Sequence, residues 1–186
     1  MPELQPWQVL QSEILLDRSP WLRVVREAVR LPNGQVIDDY LLTPSRDYSM
    51  IVALTGANEV LLVQQYKHGL GRVVLDFPAG YLNTPDENPL ACAQRELLEE
   101  TGHSARRWTL LGRYAIDSNR ATSGAYLFAA HGLTRVAEPR LDPTEALCVL
   151  TRPAHEIPAL LAAGEMPTLA CAAAWGLAAG VLFNSP

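Results

Sequence analysis

Cysteine is scarce in this chain: Cys92, Cys148 and Cys171 are odd in number, far apart and free of any CxxC spacing. That excludes a disulfide framework and a cysteine zinc site, and leaves three small buried hydrophobes in a reducing compartment. Cations are short as well, with 15 Lys and Arg against 20 Asp and Glu and a formal net charge of −5. Nucleic-acid binders gather Lys and Arg on one face to meet phosphates, so DNA and RNA are not expected partners. No apolar run is long enough to span a bilayer, and no membrane association is expected. The nearest, TLACAAAWGLAAGVLF at 168–183, falls short of the roughly 20 residues a span needs and is built on Ala and Gly, so it reads as a buried helix. MPELQPWQVL has no basic region followed by an apolar stretch. A secretory leader is therefore not expected, and a cytoplasmic location is. Internal repeats, low-complexity tracts and long linkers are absent too.

What remains is an ordinary globular composition. With 186 residues, 48% hydrophobic and 19% charged, the chain can fill one main core. The first third reads as β structure, with WLRVVREAVRL and VIDDYLL flanking LPNGQ, whose Asn33-Gly34 pair signals a hairpin. MIVALT and EVLLVQQY, split by GAN, form a second and more buried hairpin, and VVLDFPAGYL is a short strand entering a Pro-Ala-Gly turn. A helix is expected over 89–101, with Asn88 as its cap, Pro89 at its first position and Gly102 just past its end. WTLLGRYA, GAYLFAAH and EALCVL continue as strands, and EIPALLAAG and the 168–183 run close the chain as helices. Helices inserted among strands joined by short turns give an α+β class around a mixed sheet.

The predicted helix ends in RELLEETG. At 100° per residue, Glu96 and Glu100 lie about 40° apart and Glu99 about 60° to the other side of Glu96, so the three share a face. Leu90, Ala93 and Leu97 form an adjoining apolar stripe that fixes the direction of that face. Arg95 stands four residues before Glu99 and can pair with it, but one cation does not neutralise three carboxylates. Glutamates in a last turn also oppose the helix dipole. A pair of glutamates on a surface helix is ordinarily a solvated face. Three in this placement ask for a compensating cation, and clustered hard oxygens suit Mg²⁺ or Mn²⁺ better than zinc.

From Gly80 the sequence runs GYLNTPDENPLACAQRELLEETG, which resembles the Nudix box: a glycine, five residues, a glutamate, seven residues, then R-E-aliphatic-x-E-E-x-G and an aliphatic residue. Glu87, Arg95, Glu96, Leu97, Glu99, Glu100 and Gly102 fall in register over a box at 80–103. Six residues rather than five separate Gly80 from Glu87, so either the loop carries an insertion or Asp86 substitutes. Glu87 is preferred, because a helix counts rigidly back from Arg95 while a loop absorbs a residue cheaply. His103 stands at the final aliphatic position, which bears on packing after the helix and not on the carboxylates. LPNGQVIDDYLL, IVAL, VLLVQQYKHG and LDFPAGYL look like the ADP-ribose pyrophosphatase branch of that superfamily.

The resemblance implies an α/β/α sandwich around a mixed sheet over 46–186, preceded by an antiparallel β extension over 1–45. It also implies hydrolysis of the diphosphate of ADP-ribose or a related nucleoside diphosphate sugar with Mg²⁺, Mn²⁺ being possible. Other diphosphates (a GDP-sugar, a dinucleoside polyphosphate, NADH or FAD) or a non-catalytic nucleotide sensor are the alternatives. By the same resemblance the Ala79 carbonyl with Glu96, Glu99 and Glu100 would bind the metal, Arg95 would hold glutamate geometry, and Gly80, Glu87 and Gly102 would support the box. The general base is expected at Glu145, with Glu138 and Glu99 as competitors. Trp21, Arg23, Arg26 and Arg120 are candidate substrate contacts, with Ser118, Asn119 and Ser123 on the same polar loop as Arg120; for Trp21 a core or dimer anchor is the preferred reading. Lys67 and His68 carry no assigned role. A homodimer whose N-terminal strands contribute to the partner's site is the implied assembly.

Overall fold

Hairpins and caps written locally in the sequence set the landmarks of the fold. The computed structural model describes residues 4–141, 144 and 146–182. Its backbone divides into two compact units, one of residues up to Arg46 with Ala115–Gly124, the other of Asp47–Tyr114 with residues from Ala125 onward.

The first unit is built on a three-stranded antiparallel sheet, β1 (Gln8–Arg18), β2 (Leu22–Arg30) and β3 (Val36–Leu42), in that order. Gly34 takes φ +86° in the β2–β3 turn, where a side chain would be strained. Leu31 and Gln35 close the turn through a 2.8 Å backbone hydrogen bond. Every side chain of β1 is exposed. No alternation of buried and solvent positions therefore marks this strand in the sequence. The 115–124 loop is stitched internally by Asp117, which receives the Asn119 N–H at 2.9 Å. It is fastened to the end of β3 by Tyr40 Oη donating to Asn119 O at 2.8 Å and by Thr43 N–H donating to Arg120 O at 2.7 Å.

The second unit contains a seven-stranded sheet. It comprises β4 (Tyr48–Leu54), β5 (Glu59–Lys67), β6 (Arg72–Asp76), β7 (Ala79–Tyr81), β8 (His103–Ala115), β9 (Gly124–Arg135) and β10 (Leu147–Pro153). The main path runs β10-β5-β4-β9-β8, with β6 paired to β5 and β7 to β4. The β4–β9 pair is parallel while β4–β5, β5–β6 and β4–β7 are antiparallel, so the sheet is mixed. β8 begins directly after the helix, earlier than WTLLGRYA indicates, and carries His103 within it.

Alternation along β4 divides the core in two. Met50, Val52 and Leu54 face a cluster with Leu62, Phe77, Leu127 and Ile157, closed by Cys171, Ala174, Trp175 and Ala178 of helix α3 (Leu169–Leu182). Ile51 and Ala53 face Leu61, Phe128 and the buried Ala93 and Leu97 of α1 (Pro89–Thr101). A short helix, α2 (Ile157–Ala162), lies with the first cluster. Helix, sheet and helix thus form three layers, each helix burying one stripe. The small side chains of α3 let it pack closely, as expected for the 168–183 run, and none of the helices among the described residues is long and apolar enough to cross a membrane. One expectation fails: Cys92 and Cys171 are buried but Cys148 is exposed, because it faces out from β10.

Helix α1 keeps the predicted limits. Asn88 Oδ1 accepts the N–H groups of Leu90 and Ala91 at 2.9 and 3.3 Å, satisfying donors the first turn leaves open. At the other end Gly102 has φ +71° and donates to Leu98 O. A Cβ there would collide with the carbonyl of Ala137. Substituting Gly102→Ala should therefore cost about 1–3 kcal/mol from backbone strain alone. Calorimetry should show a fall of several degrees in Tm; an unchanged Tm would contradict this reading of the cap.

Candidate active site

The acidic residues of α1 converge where β7 crosses beneath the helix. Two backbone features bring them there. Ser49 Oγ, fully buried on β4, donates to Pro89 O at 2.8 Å and pins the start of the helix to the sheet. Pairing of Ser49 with Gly80 and Met50 with Ala79 then lays β7 alongside.

Gly80 lies against the Glu96 carboxylate, and a Cβ at this position would occupy the space of that carboxylate. Ala79 N–H donates to Glu100 Oε2 at 3.0 Å. Glu100 is buried, the Glu96 side chain is only 12% exposed and that of Glu99 is 46% exposed. The face therefore grades from interior to solvent across one helical turn.

Arg95 is the cation among these acids. Its Nη1 donates to Glu96 Oε1 at 2.6 Å and to Glu99 Oε2 at 3.1 Å, its Nε faces Glu87 Oε1 at 3.4 Å, and its Nη2 donates to Tyr81 O at 3.1 Å. Burial works against the guanidinium charge, but Glu96 and Glu99 outweigh it and push the pKa up. Glu87 also accepts the Asn83 N–H, so it closes the loop before the helix as well as bracing Arg95. Asp86 is exposed and makes none of these contacts. His103 Nδ1 lies 2.8 Å from Thr101 O, a contact in which that nitrogen carries the proton.

Glu87, Glu96 and Glu99 share the one Arg95 guanidinium, so three carboxylates meet a single cation in a partly buried place, an arrangement that a further cation would favour. Among the described residues no three His, Cys, Asp or Glu side chains stand ready-made as a metal cage; here Glu96 and Glu99 are drawn to Arg95, and Glu100 to Ala79. The donor set, three carboxylates with a backbone carbonyl nearby, is all oxygen and fits a hard divalent cation.

The remaining candidates are placed as follows. Trp21 is 79% exposed in the first unit, which rules out a core role. Arg23 faces Asp17 at 3.9 Å and Arg26 meets Glu13 at 2.5 Å across the β1–β2 ladder, and Arg120 donates to Leu41 O at 3.0 Å. Glu138 is exposed and paired with Arg135 at 2.6 Å. Glu145 lies outside the described residues. The segment leading toward it is tied to the end of α1, with Val136 and Ala137 N–H donating to Gly102 O and Arg140 N–H to Glu99 O at 2.7 Å. Sequence reading missed Asp76, a buried carboxylate three residues before Ala79 that pairs with Lys67 at 3.8 Å. An acid inside the apolar run VVLDF was the only available signal.

A three-layer α/β/α fold with a glutamate-rich helix lying over a Pro-Ala-Gly strand defines the class. Residues 45–159 match the NUDIX domain family, and the chain belongs to it. Residues 7–40 match the nucleoside diphosphate sugar hydrolase N-terminal domain. Among relatives, the chain is 31% identical over 121 residues to an ADP-ribose pyrophosphatase of Mycobacterium tuberculosis, covering 65% of this chain and 58% of that protein. It is 30% identical over 125 residues to an ADP-ribose pyrophosphatase of Bacillus subtilis, covering 67% and 66%. A methanol dehydrogenase activator of Bacillus methanolicus is 32% identical over 116 residues, covering 61% and 62%. The matches thus span less than two thirds of these relatives' lengths. A crystal structure of an ADP compounds hydrolase shares the fold, with a TM-score of 0.86 at 24% identity over 98% of this chain and 97% of that one.

The Arg95 contacts predict a comparison. Arg95→Met should cost about 1.5–3 kcal/mol, the range for charge-assisted hydrogen bonds. Arg135→Met, which removes an exposed pair, should stay within about 0.5 kcal/mol. Denaturant unfolding of the two variants measures both, and equal losses would remove Arg95 from its place as the organising cation.

Proposed function

We propose that this protein is a divalent-metal-dependent hydrolase that cleaves the diphosphate of ADP-ribose or a related nucleoside diphosphate sugar, releasing a nucleoside monophosphate and a sugar phosphate. The carrying observation is the α1 acidic face, in which Glu96 packs on Gly80 and Glu100 accepts from Ala79. The substrate class is supported by the names of the relatives and by the N-terminal family match.

In this reading Glu96, Glu99, Glu100 and the Ala79 carbonyl hold Mg²⁺, or Mn²⁺ in its place. The bound cation supplies positive charge against the diphosphate and makes water more acidic. Arg95 holds Glu96 and Glu99 together at fixed positions against their mutual repulsion, and Glu87 keeps Arg95 in place. Glu145 takes the proton from the attacking water, with Glu99 and Glu138 as the alternative bases. Trp21 stacks on the base while Arg23, Arg26 and Arg120 meet phosphate or sugar, exchanging their present partners for the ligand. The free cysteines favour a reducing, cytoplasmic compartment. A homodimer is the proposed assembly, supported by the exposed apolar side chains Val9, Ile14 and Leu15 along β1. A monomer mass in sedimentation equilibrium at micromolar concentration would contradict it.

The function is tested by product release from a panel of nucleoside diphosphate sugars, dinucleotides and polyphosphates, each with Mg²⁺, Mn²⁺ or chelator. Metal-dependent cleavage of ADP-ribose above the rest is expected. Preferential cleavage of another diphosphate would overturn the substrate, and nucleotide binding without turnover would overturn the enzyme. Glu100→Gln keeps size and loses a charge. It should lower turnover by roughly a hundredfold or more, since even outer partners of a metal site are worth 10–100-fold.

A further inference from the structure

One buried acid has no part in the reading above. Asp76 ends β6 and is 4% exposed. Its Oδ1 accepts the Phe77 N–H at 3.0 Å and the Cys171 Sγ–H of α3 at 2.9 Å, while its Oδ2 faces Lys67 Nζ at 3.8 Å. One carboxylate thus ties together the end of β5, the far helix layer and the first peptide of the Phe77-Pro78-Ala79 turn.

That turn is fixed at three successive points. Phe77 N–H is held by Asp76, Pro78 O receives Ile51 N–H at 2.9 Å, and Ala79 N–H goes to Glu100 at 3.0 Å. Two of the three anchors are backbone to carboxylate, one from each side of the sheet, Asp76 toward α3 and Glu100 on α1. These anchors fix the Asp76–Phe77 and Pro78–Ala79 peptides, and the Ala79 carbonyl is in the next peptide, whose Gly80 is paired with Ser49, so the turn sets that carbonyl through the Ala79 backbone.

We propose that Asp76 is a positioning residue for cation binding, setting the Ala79 carbonyl through the Phe77 peptide and carrying the packing of α3 to the acidic face of α1. This rests on the metal reading given under the proposed function. The charged and titratable groups facing Asp76 are Lys67 from β5, Tyr48 from β4 and Cys171 from α3. Burial raises the carboxyl pKa of Asp76, against the opposing effects of Cys171, Lys67 and Phe77 N–H. Burial likewise pushes the Cys171 thiol up, so it stays a donor, and pushes Tyr48 up to about 12.

These directions separate position from stability. The folded protein holds the Asp76 proton more tightly than the unfolded chain does, so ionised Asp76 costs stability as pH rises through that window. Asn carries no such cost and keeps the shape. Asp76→Asn should therefore unfold at the same or a higher temperature than the unsubstituted protein at pH 8, with the gap closing as pH falls into the ordinary carboxylate range. The same variant removes the ion pair with Lys67 and leaves the Phe77 N–H and Cys171 Sγ–H a weaker, neutral acceptor.

The test is Mn²⁺ binding to the full chain without substrate, followed by the electron paramagnetic resonance of free Mn²⁺, alongside the Tm. Asp76→Asn should bind Mn²⁺ roughly tenfold more weakly, the lower end for partners one step from a metal ligand, with Tm preserved. Affinity within about twofold of the unsubstituted protein overturns the role. Glu100→Gln run in parallel separates two failures: loss in Glu100→Gln alone overturns the part given to Asp76, and no loss in either overturns the metal reading with it. Cys171→Ala removes only the thiol donor and should weaken Mn²⁺ in the same direction by a smaller factor. Should Asp76→Asn not fold, unchanged affinity in Cys171→Ala overturns the inference.

Discussion

A single guanidinium holds together a helix face that its own charges would push apart. Arg95 reaches Glu96, Glu99, Glu87 and the Tyr81 carbonyl at once, joining the last turns of α1 to the loop before it and to the strand beneath. Like charges one turn apart destabilise an isolated helix, and carboxylates near a C-terminus oppose its dipole. The fold absorbs these costs because the adjoining stripe of α1 buries Ala93 and Leu97 against Ile51 and Phe128. The apolar stripe fixes the helix, and Arg95 then fixes the carboxylates.

Everything else that shapes the site serves that arrangement. Ser49 and Asn88 determine where α1 starts, Gly102 where it stops, and Gly80 leaves the volume that Glu96 fills. The turn at Pro78 connects the two layers chemically, since Asp76 belongs to a network with α3 while Glu100 belongs to α1. A carboxylate on each side of one short turn makes the Ala79 peptide the junction between the two halves of the core.

How much of this was legible follows from how local each signal is. The limits of α1 are written in its caps, and the β2–β3 hairpin in Asn33-Gly34, because both depend on residues within a few positions of one another. The i, i+4 spacing likewise places Arg95 on Glu99. β1 leaves no such trace, since a strand exposed along its whole length has no buried face to impose a period. Cys171 and Asp76 stand 95 residues apart, so the hydrogen bond between them exists only after the sheet and α3 have packed. Trp21 reads from sequence as a core or dimer anchor or as a substrate contact because the same aromatic serves each; its exposure decides against the core. Cys148 shows the same limit in reverse, as composition assigns cysteine to the interior and the facing of β10 assigns this one to solvent.

The central claim, that the acidic face of α1 with the Ala79 carbonyl is a divalent cation site, is tested most directly by anomalous diffraction from crystals of the protein soaked in Mn²⁺. The account predicts a manganese peak about 2.1 Å from carboxylate oxygens of Glu96 and Glu100 and from the Ala79 carbonyl. Well-ordered side chains with no peak there, or manganese bound only at other residues, would contradict it.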